Sequence, residues 1–276
     1  MAVAPRPRVV PARTARALVA IVATALVLVA CAVAPDANPR DAPAAGDEHG
    51  LSGELTIYAA ASLASSFGEL ATSFEAENPG VTIRPIVFDG SSTLVTQLAE
   101  GAPADVFAAA DETSMARAVD AGLVSADDPV LFARNTLVIA VPAGNPAGVR
   151  SLADLTRSDL TLVLCAVEVP CGAASQKLLA RHGVETAPAS FEQNVTAVLT
   201  KVAAGEADAG LVYVTDVRGR DDVEGIVPDG AQNVANRYPI TALRASSNPD
   251  AAAAFVAFVT GERGRAILTE HGFGSP

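Results

Sequence analysis

From Leu55 onward, short apolar runs alternate with stretches whose apolar residues recur at helical spacing. Residues 55–59 read as a strand, and Leu63, Phe67, Leu70 and Phe74 then share one face of a helix over residues 63–77. Pro79-Gly80 closes that helix, and residues 81–88 alternate as a second strand. The pattern next predicts a helix over 92–100, a strand over 105–109 and a helix over 112–121. Residues 136–141 form an apolar run of the kind buried on both faces of a sheet. Downstream come a strand over 160–164, helices over 173–182 and 195–204, and strands over 209–214 and 237–243. A helical tail over 250–271 breaks near Gly261. Strands separated by helices predict an α/β fold with mainly parallel sheets flanked by helices. Two such blocks, with serine- or glycine-containing turns after their strands, point to two lobes with a ligand cleft between them.

The chain upstream is of a different kind. Its long apolar stretch, residues 17–30, follows Arg6, Arg8, Arg13 and Arg16 and ends Leu28-Val29-Ala30-Cys31. A basic region, a short apolar core and small residues before a cut site read as a secretory signal over residues 1–30. The stretch is shorter than the roughly 20 apolar residues that span a bilayer. Its end resembles the bacterial lipobox, in which the cysteine becomes the lipidated first residue. Cys31 is therefore the expected lipidation site, holding the protein to the membrane at the outer, extracytoplasmic face. Residues 31–50, rich in Ala, Pro and Asp, read as a flexible tether.

Removing the leader would take away four arginines and no acids, moving the net charge from -12 to -16. So acidic a body is a poor partner for nucleic acid, which calls for basic patches. It also means that an anion would be bound against the overall field, by local donors. Of the three cysteines, Cys165 and Cys171 remain once Cys31 carries lipid. They are a candidate disulfide for an oxidising compartment, although spacing alone does not bring their Cα atoms into range.

Five segments carry the candidate chemistry. Ala59-Ala60-Ala61-Ser62-Leu63 and Gly90-Ser91-Ser92-Thr93-Leu94 each follow a strand and open a helix. There a hydroxyl and unpaired backbone N–H groups meet the positive end of the helix dipole. Each serine also reads as an ordinary N-cap. Val169-Pro170-Cys171-Gly172 and Asn194-Val195-Thr196 open two later helices, and Gly210-Leu211-Val212-Tyr213 ends a buried-looking strand in one of three tyrosines. None of the five contains Lys or Arg. Phosphoryl-transfer and nucleotide sites use such residues or a metal, so a neutral cage of donors suits a small ionised oxyanion instead.

These segments, with Gly101-Ala102-Pro103-Ala104-Asp105-Val106-Phe107, Ala110-Asp111 and the tail from Gly261 to Phe273, resemble the periplasmic molybdate-binding proteins of ABC transporters. The resemblance spans roughly residues 55–273. It implies the two-lobed binding-protein fold of type II, with two crossovers: residues 51–133 and 236–276 in lobe I, and 134–235 in lobe II. It implies that Ser62 and Ser91 donate from lobe I through hydroxyl and backbone N–H. From lobe II, Cys171 and Val195 would donate backbone N–H groups, and Tyr213 a hydroxyl at the rim. Cys171 stands where the family carries a small residue such as Ala, a change that a backbone contact survives. The implied ligand is molybdate or tungstate, with no cofactor and no metal beyond the oxyanion. The implied partner is an ABC permease, and the protein is expected to be a monomer.

Three alternatives follow from the same residues. Another anion such as sulfate could occupy this fold. An enzyme would need Cys171 as an activated thiolate, but His182 stands at the far end of the same helix and no nucleophile–base pair forms. A sensor or adhesion module shares the fold, and sequence does not separate it from a receptor.

Overall fold

The structure, a computed structural model, describes residues 50–276. Cys31, the leader and nearly all of the tether lie outside the described residues. The first strands are β1 (Gly53–Leu55), β2 (Ile57–Ala60), β3 (Val81–Ile83), β4 (Val87–Asp89), β5 (Val106–Ala108) and β6 (Val130–Asn135). Then come β7 (Leu137–Pro142), β8 (Leu162–Cys165), β9 (Ser190–Glu192), β10 (Ala209–Tyr213), β11 (Val223–Ile226) and β12 (Asn236–Ala242). The helices are α1 (Ala64–Glu77), α2 (Ser91–Ala99), α3 (Glu112–Asp120), α4 (Pro170–Arg181), α5 (Val195–Ala203), α6 (Val214–Val217), α7 (Pro249–Thr260) and α8 (Glu262–Glu270).

Two five-stranded sheets organise the two lobes, in the orders β4-β2-β5-β12-β6 and β11-β7-β10-β8-β9. Central strands read as continuous apolar runs because helices cover both faces: β2 and β10 are buried at every position. In the first lobe, α1 presents Phe67, Leu70 and Phe74 to the core, and Phe74 meets Phe255 of α7 edge-on at 5.2 Å. A separate apolar core packs α4 and α5 against the second sheet through Leu178, Val198 and Val202.

Two expectations need correction. The sheets are mixed rather than mainly parallel. Pairs β2–β4, β2–β5, β8–β9 and β8–β10 are parallel, whereas β5–β12, β6–β12, β7–β10 and β7–β11 are antiparallel. The antiparallel strands belong to the segments that carry the chain between sheets, where no covering helix returns the next strand in the same direction. Residues 81–88 are two strands rather than one. Val81–Ile83 pairs with β1 in a two-stranded ribbon, while Val87–Asp89 joins the main sheet. Pro85 lies in the break, where it cannot supply a ladder N–H.

The chain passes between sheets twice, from β6 into β7 and back into β12. The two passages lie side by side, because Asn135 and Asn236 are register partners in the β6–β12 ladder. The tail is stitched to the same place: Arg134 and Gly274 exchange backbone hydrogen bonds of 2.9 and 3.0 Å.

Candidate functional site

At the carboxyl ends of β2, β4, β8, β9 and β10 the two lobes face one another. A 3-10 turn over Ala61–Leu63 leads into α1, and α2, α4 and α5 begin nearby. Around one small cavity stand Ser62, Gly90 and Ser91 from the first lobe, with Pro170, Cys171, Asn194, Val195 and Tyr213 from the second. All five residues expected to bind ligand thus line a single space. It is small, about 10 Å3, the space of one water-sized sphere, too narrow for an extended organic chain.

The N-cap reading of the serines does not hold. Gly90 is the N-cap of α2 and Ala60 that of the 3-10 turn, and neither start has a side-chain cap. Val169 likewise leaves α4 uncapped, with Pro170 in its first turn. Only α5, among these four starts, is capped, by Asn194 Oδ1 accepting from Ala197 N at 2.9 Å. Backbone N–H groups of the uncapped starts are therefore available to an anion. The serines are held otherwise: Ser91 Oγ accepts the Ala110 N–H at 2.9 Å, and Ser62 Oγ lies 3.0 Å from Tyr238 Oη.

Tyr213 is not at the rim. Only 1% exposed, it forms the floor of the cavity, where Asn236 Nδ2 donates to its hydroxyl at 3.0 Å. Burial pushes its phenol well above the ordinary range, with the neighbouring Tyr238 adding to the effect, so it stays protonated as a donor. Burial likewise raises Tyr238. Beneath Tyr213, burial carries Asp216 up to about 7, against the pull of the Tyr213 N–H that its Oδ2 accepts at 2.8 Å.

No Lys or Arg lines the cavity, but one acid does, which the sequence reading missed. Asp89 Oδ1 accepts from Gly90 N at 2.7 Å and from Asn194 Nδ2 at 2.8 Å. The second of these bonds crosses between the lobes. Ser92 Oγ also crosses, donating to the Glu168 carbonyl. Nothing in the apolar-polar pattern of Val87–Asp89 signals this tie, since its partner lies 105 positions away.

Cys165, ending β8, and Cys171, in the first turn of α4, form a disulfide across Cα atoms 5.8 Å apart. The bond fixes the turn that presents the Cys171 N–H, and it removes the free thiolate that the enzyme reading required. Chain-entropy estimates for so short a loop give about 2 kcal/mol. A double Cys→Ser variant is therefore expected to unfold at lower urea, by about that amount, with faster amide exchange over residues 169–172. Unchanged unfolding would show that packing alone holds the turn.

Comparisons with known proteins agree with this fold. Residues 55–274 match the family described as bacterial extracellular solute-binding protein. The molybdate-binding protein ModA of Mycobacterium tuberculosis is 45% identical over 250 residues, covering 90% of this chain and 95% of that protein. Escherichia coli ModA is 28% identical, covering 83% and 92% respectively. Among solved structures, the periplasmic molybdate-binding protein of Azotobacter vinelandii matches with a TM-score of 0.64 at 21% identity, over 80% of this chain and 99% of that one. The sulfate-binding protein SubI of M. tuberculosis matches at 0.67 and 18%, over 80% and 86%. At those identities the structures speak for the fold alone. With two lobes, two crossovers and a closed cleft of hydrogen-bond donors, the chain belongs to the bacterial extracellular solute-binding proteins, in the group of the ModA molybdate-binding proteins.

Proposed function

We propose that this protein captures molybdate outside the cytoplasm and delivers it to the permease of an ABC importer. The observation that carries the reading is the convergence of Ser62, Ser91, Cys171, Val195 and Tyr213 on one cavity without a cation in its wall. Three hydroxyls and several helix-start N–H groups supply donors, while Asp89, the one acid on the wall, has its Oδ1 engaged by Gly90 and Asn194. The donor set fits a tetrahedral dianion whose oxygens are all acceptors. The size and donor set do not separate tungstate from molybdate, and tungstate is the second cargo in this proposal. Cleavage before Cys31 and its lipidation would hold the receptor as a monomer at the outer face of the membrane, with residues 31–50 as tether.

Calorimetric titration of the soluble body with molybdate, tungstate, sulfate and phosphate tests the assignment. The expected result is tight one-to-one binding of the first two and weak or no binding of the others. Ser62→Ala and Ser91→Ala should each weaken molybdate binding about ten- to a hundredfold, the range for a hydrogen bond to a charged group. Stronger binding of sulfate would move the protein to the alternative cargo on the same fold. Wild-type affinity in both serine variants would overturn the site.

A further inference from the structure

An acid on the wall of an anion cavity repels the cargo, so its bonds have to show what else it does. Asp89 ends β4 and Asn194 follows β9, and these two strands are edges of their sheets. The crossovers leave from the other side: β12 and β6 end the first sheet, and β7 lies three strands from β9 in the second. With neighbouring strands about 4.8 Å apart, β4 stands about 14 Å from β12. Bending at the crossovers therefore separates Asp89 from Asn194 more than it separates a pair at the crossover, such as Asn135 Nδ2 and Thr215 Oγ1 at 2.8 Å.

At those far edges the lobes are joined. Asn194 Nδ2 donates to Asp89 Oδ1 at 2.8 Å. Each side chain is set by its own lobe. Asn194 Oδ1 caps α5 by accepting the Ala197 N–H at 2.9 Å, and a backbone N–H can only donate, so the amide nitrogen is the end that faces Asp89. Asp89 Oδ1 accepts the Gly90 N–H at 2.7 Å. Both residues are half-buried, and beside them Gly90 and the Gln193 carbonyl lie too close for a Cβ to fit between.

We propose that Asp89 and Asn194 are positioning residues that latch the two lobes over the bound anion and lengthen its stay. A hydrogen bond to a carboxylate is roughly twice as strong as a neutral one, and this one exists only while the lobes meet. Opening has to break it along with the anion's own contacts, so its loss appears in the rate of release rather than the rate of capture. The carboxylate's repulsion of the anion opposes the latch. Two N–H donors on Oδ1 offset part of that charge, which leaves the bond the larger effect. The latch rests on the oxyanion reading of the cleft and adds to it what keeps the cleft shut at the edge away from the crossovers.

Stopped-flow binding and release of molybdate by wild type, Asp89→Ala, Asn194→Ser and the double variant test the latch. Serine caps a helix about as well as asparagine, so Asn194→Ser removes the amide and keeps the start of α5. Each single variant should release molybdate about tenfold faster, with association changed by less than about threefold. The double variant should release no faster than the faster single one, because one bond is lost in all three. Asp89→Asn keeps an acceptor for both donors and should release more slowly than Asp89→Ala. Additive accelerations, wild-type release in both single variants, slower release in Asp89→Ala, or equal rates in Asp89→Asn and Asp89→Ala would each overturn the proposal. Thermal unfolding of each variant checks folding, and if Asn194→Ser does not fold, the two Asp89 variants decide. Wild-type protein silent to molybdate, tungstate, sulfate and phosphate would instead overturn the oxyanion reading, and the latch with it.

Discussion

An alanine at Gly90 is expected to weaken molybdate capture by about a hundredfold or more while both lobes stay folded. Gly90 has φ -59 and ψ 133, a conformation open to any L-residue, so nothing in its own lobe resists a side chain. The obstacle lies across the cleft: a Cβ there would sit 2.3 Å from the Gln193 carbonyl oxygen and 3.4 Å from Val169 Cγ1. Both neighbours belong to the second lobe, and the closer is backbone. Relief therefore comes by holding the lobes apart, which separates Ser62 and Ser91 from Cys171, Val195 and Tyr213. Losing two or more charged hydrogen bonds together amounts to about 3 kcal/mol or more, hence the hundredfold figure. Titration should show the loss, solution scattering a more open particle with molybdate present, and thermal unfolding without ligand little change. Wild-type affinity would mean that the cleft closes with slack at this point.

The same substitution at Gly172 should fail in a different way. There a Cβ would lie 1.8 Å from the Ala166 carbonyl oxygen, 2.5 Å from its carbon and 2.8 Å from the Cys165 carbonyl oxygen. All three atoms are backbone of the same lobe, in the turn closed by the Cys165–Cys171 disulfide, so no hinge motion gives relief. The first turn of α4 must move off β8, or the disulfide loop must rearrange. Overpacking of this kind costs about 3 kcal/mol or more. Gly172→Ala is expected to unfold at markedly lower denaturant and to lose molybdate binding along with its second-lobe structure. An unfolding free energy within about 0.5 kcal/mol of wild type would contradict this, since that is the usual range for a harmless change. Together the two alanines separate closure from folding.

The helices and central strands were legible because burial gives them strong periods. The apolar face of α1 and the run at β10 appear in the sequence as they do in the structure. The edge strands were not. Ser190–Glu192 and Val223–Ile226 are short, with exposed residues at Phe191, Glu224 and Gly225, so neither has a clean period of two. Val130–Asn135 runs straight toward β7 with no turn signal strong enough to divide them. In the site, the helix-start residues could be read locally, since a strand, a small residue and a helix lie in one stretch of chain. The layer behind them could not. Tyr238 reaches Ser62 over 176 positions and Asn236 reaches Tyr213 over 23, and only the folded chain brings these partners together. Asp89 was hidden for the same reason.

The side-by-side passages at Asn135 and Asn236 have a kinetic consequence. Two neighbouring antiparallel segments join the lobes at one narrow place, an arrangement expected to bend about a single axis rather than slide. In the proposed site Cys171, Val195 and Tyr213 all stand on the second lobe, so their contacts would be released in one movement. Departure of the anion is then expected to be a single concerted event, at the rate at which this junction bends. Residence time can be tuned at a place where no atom touches the cargo.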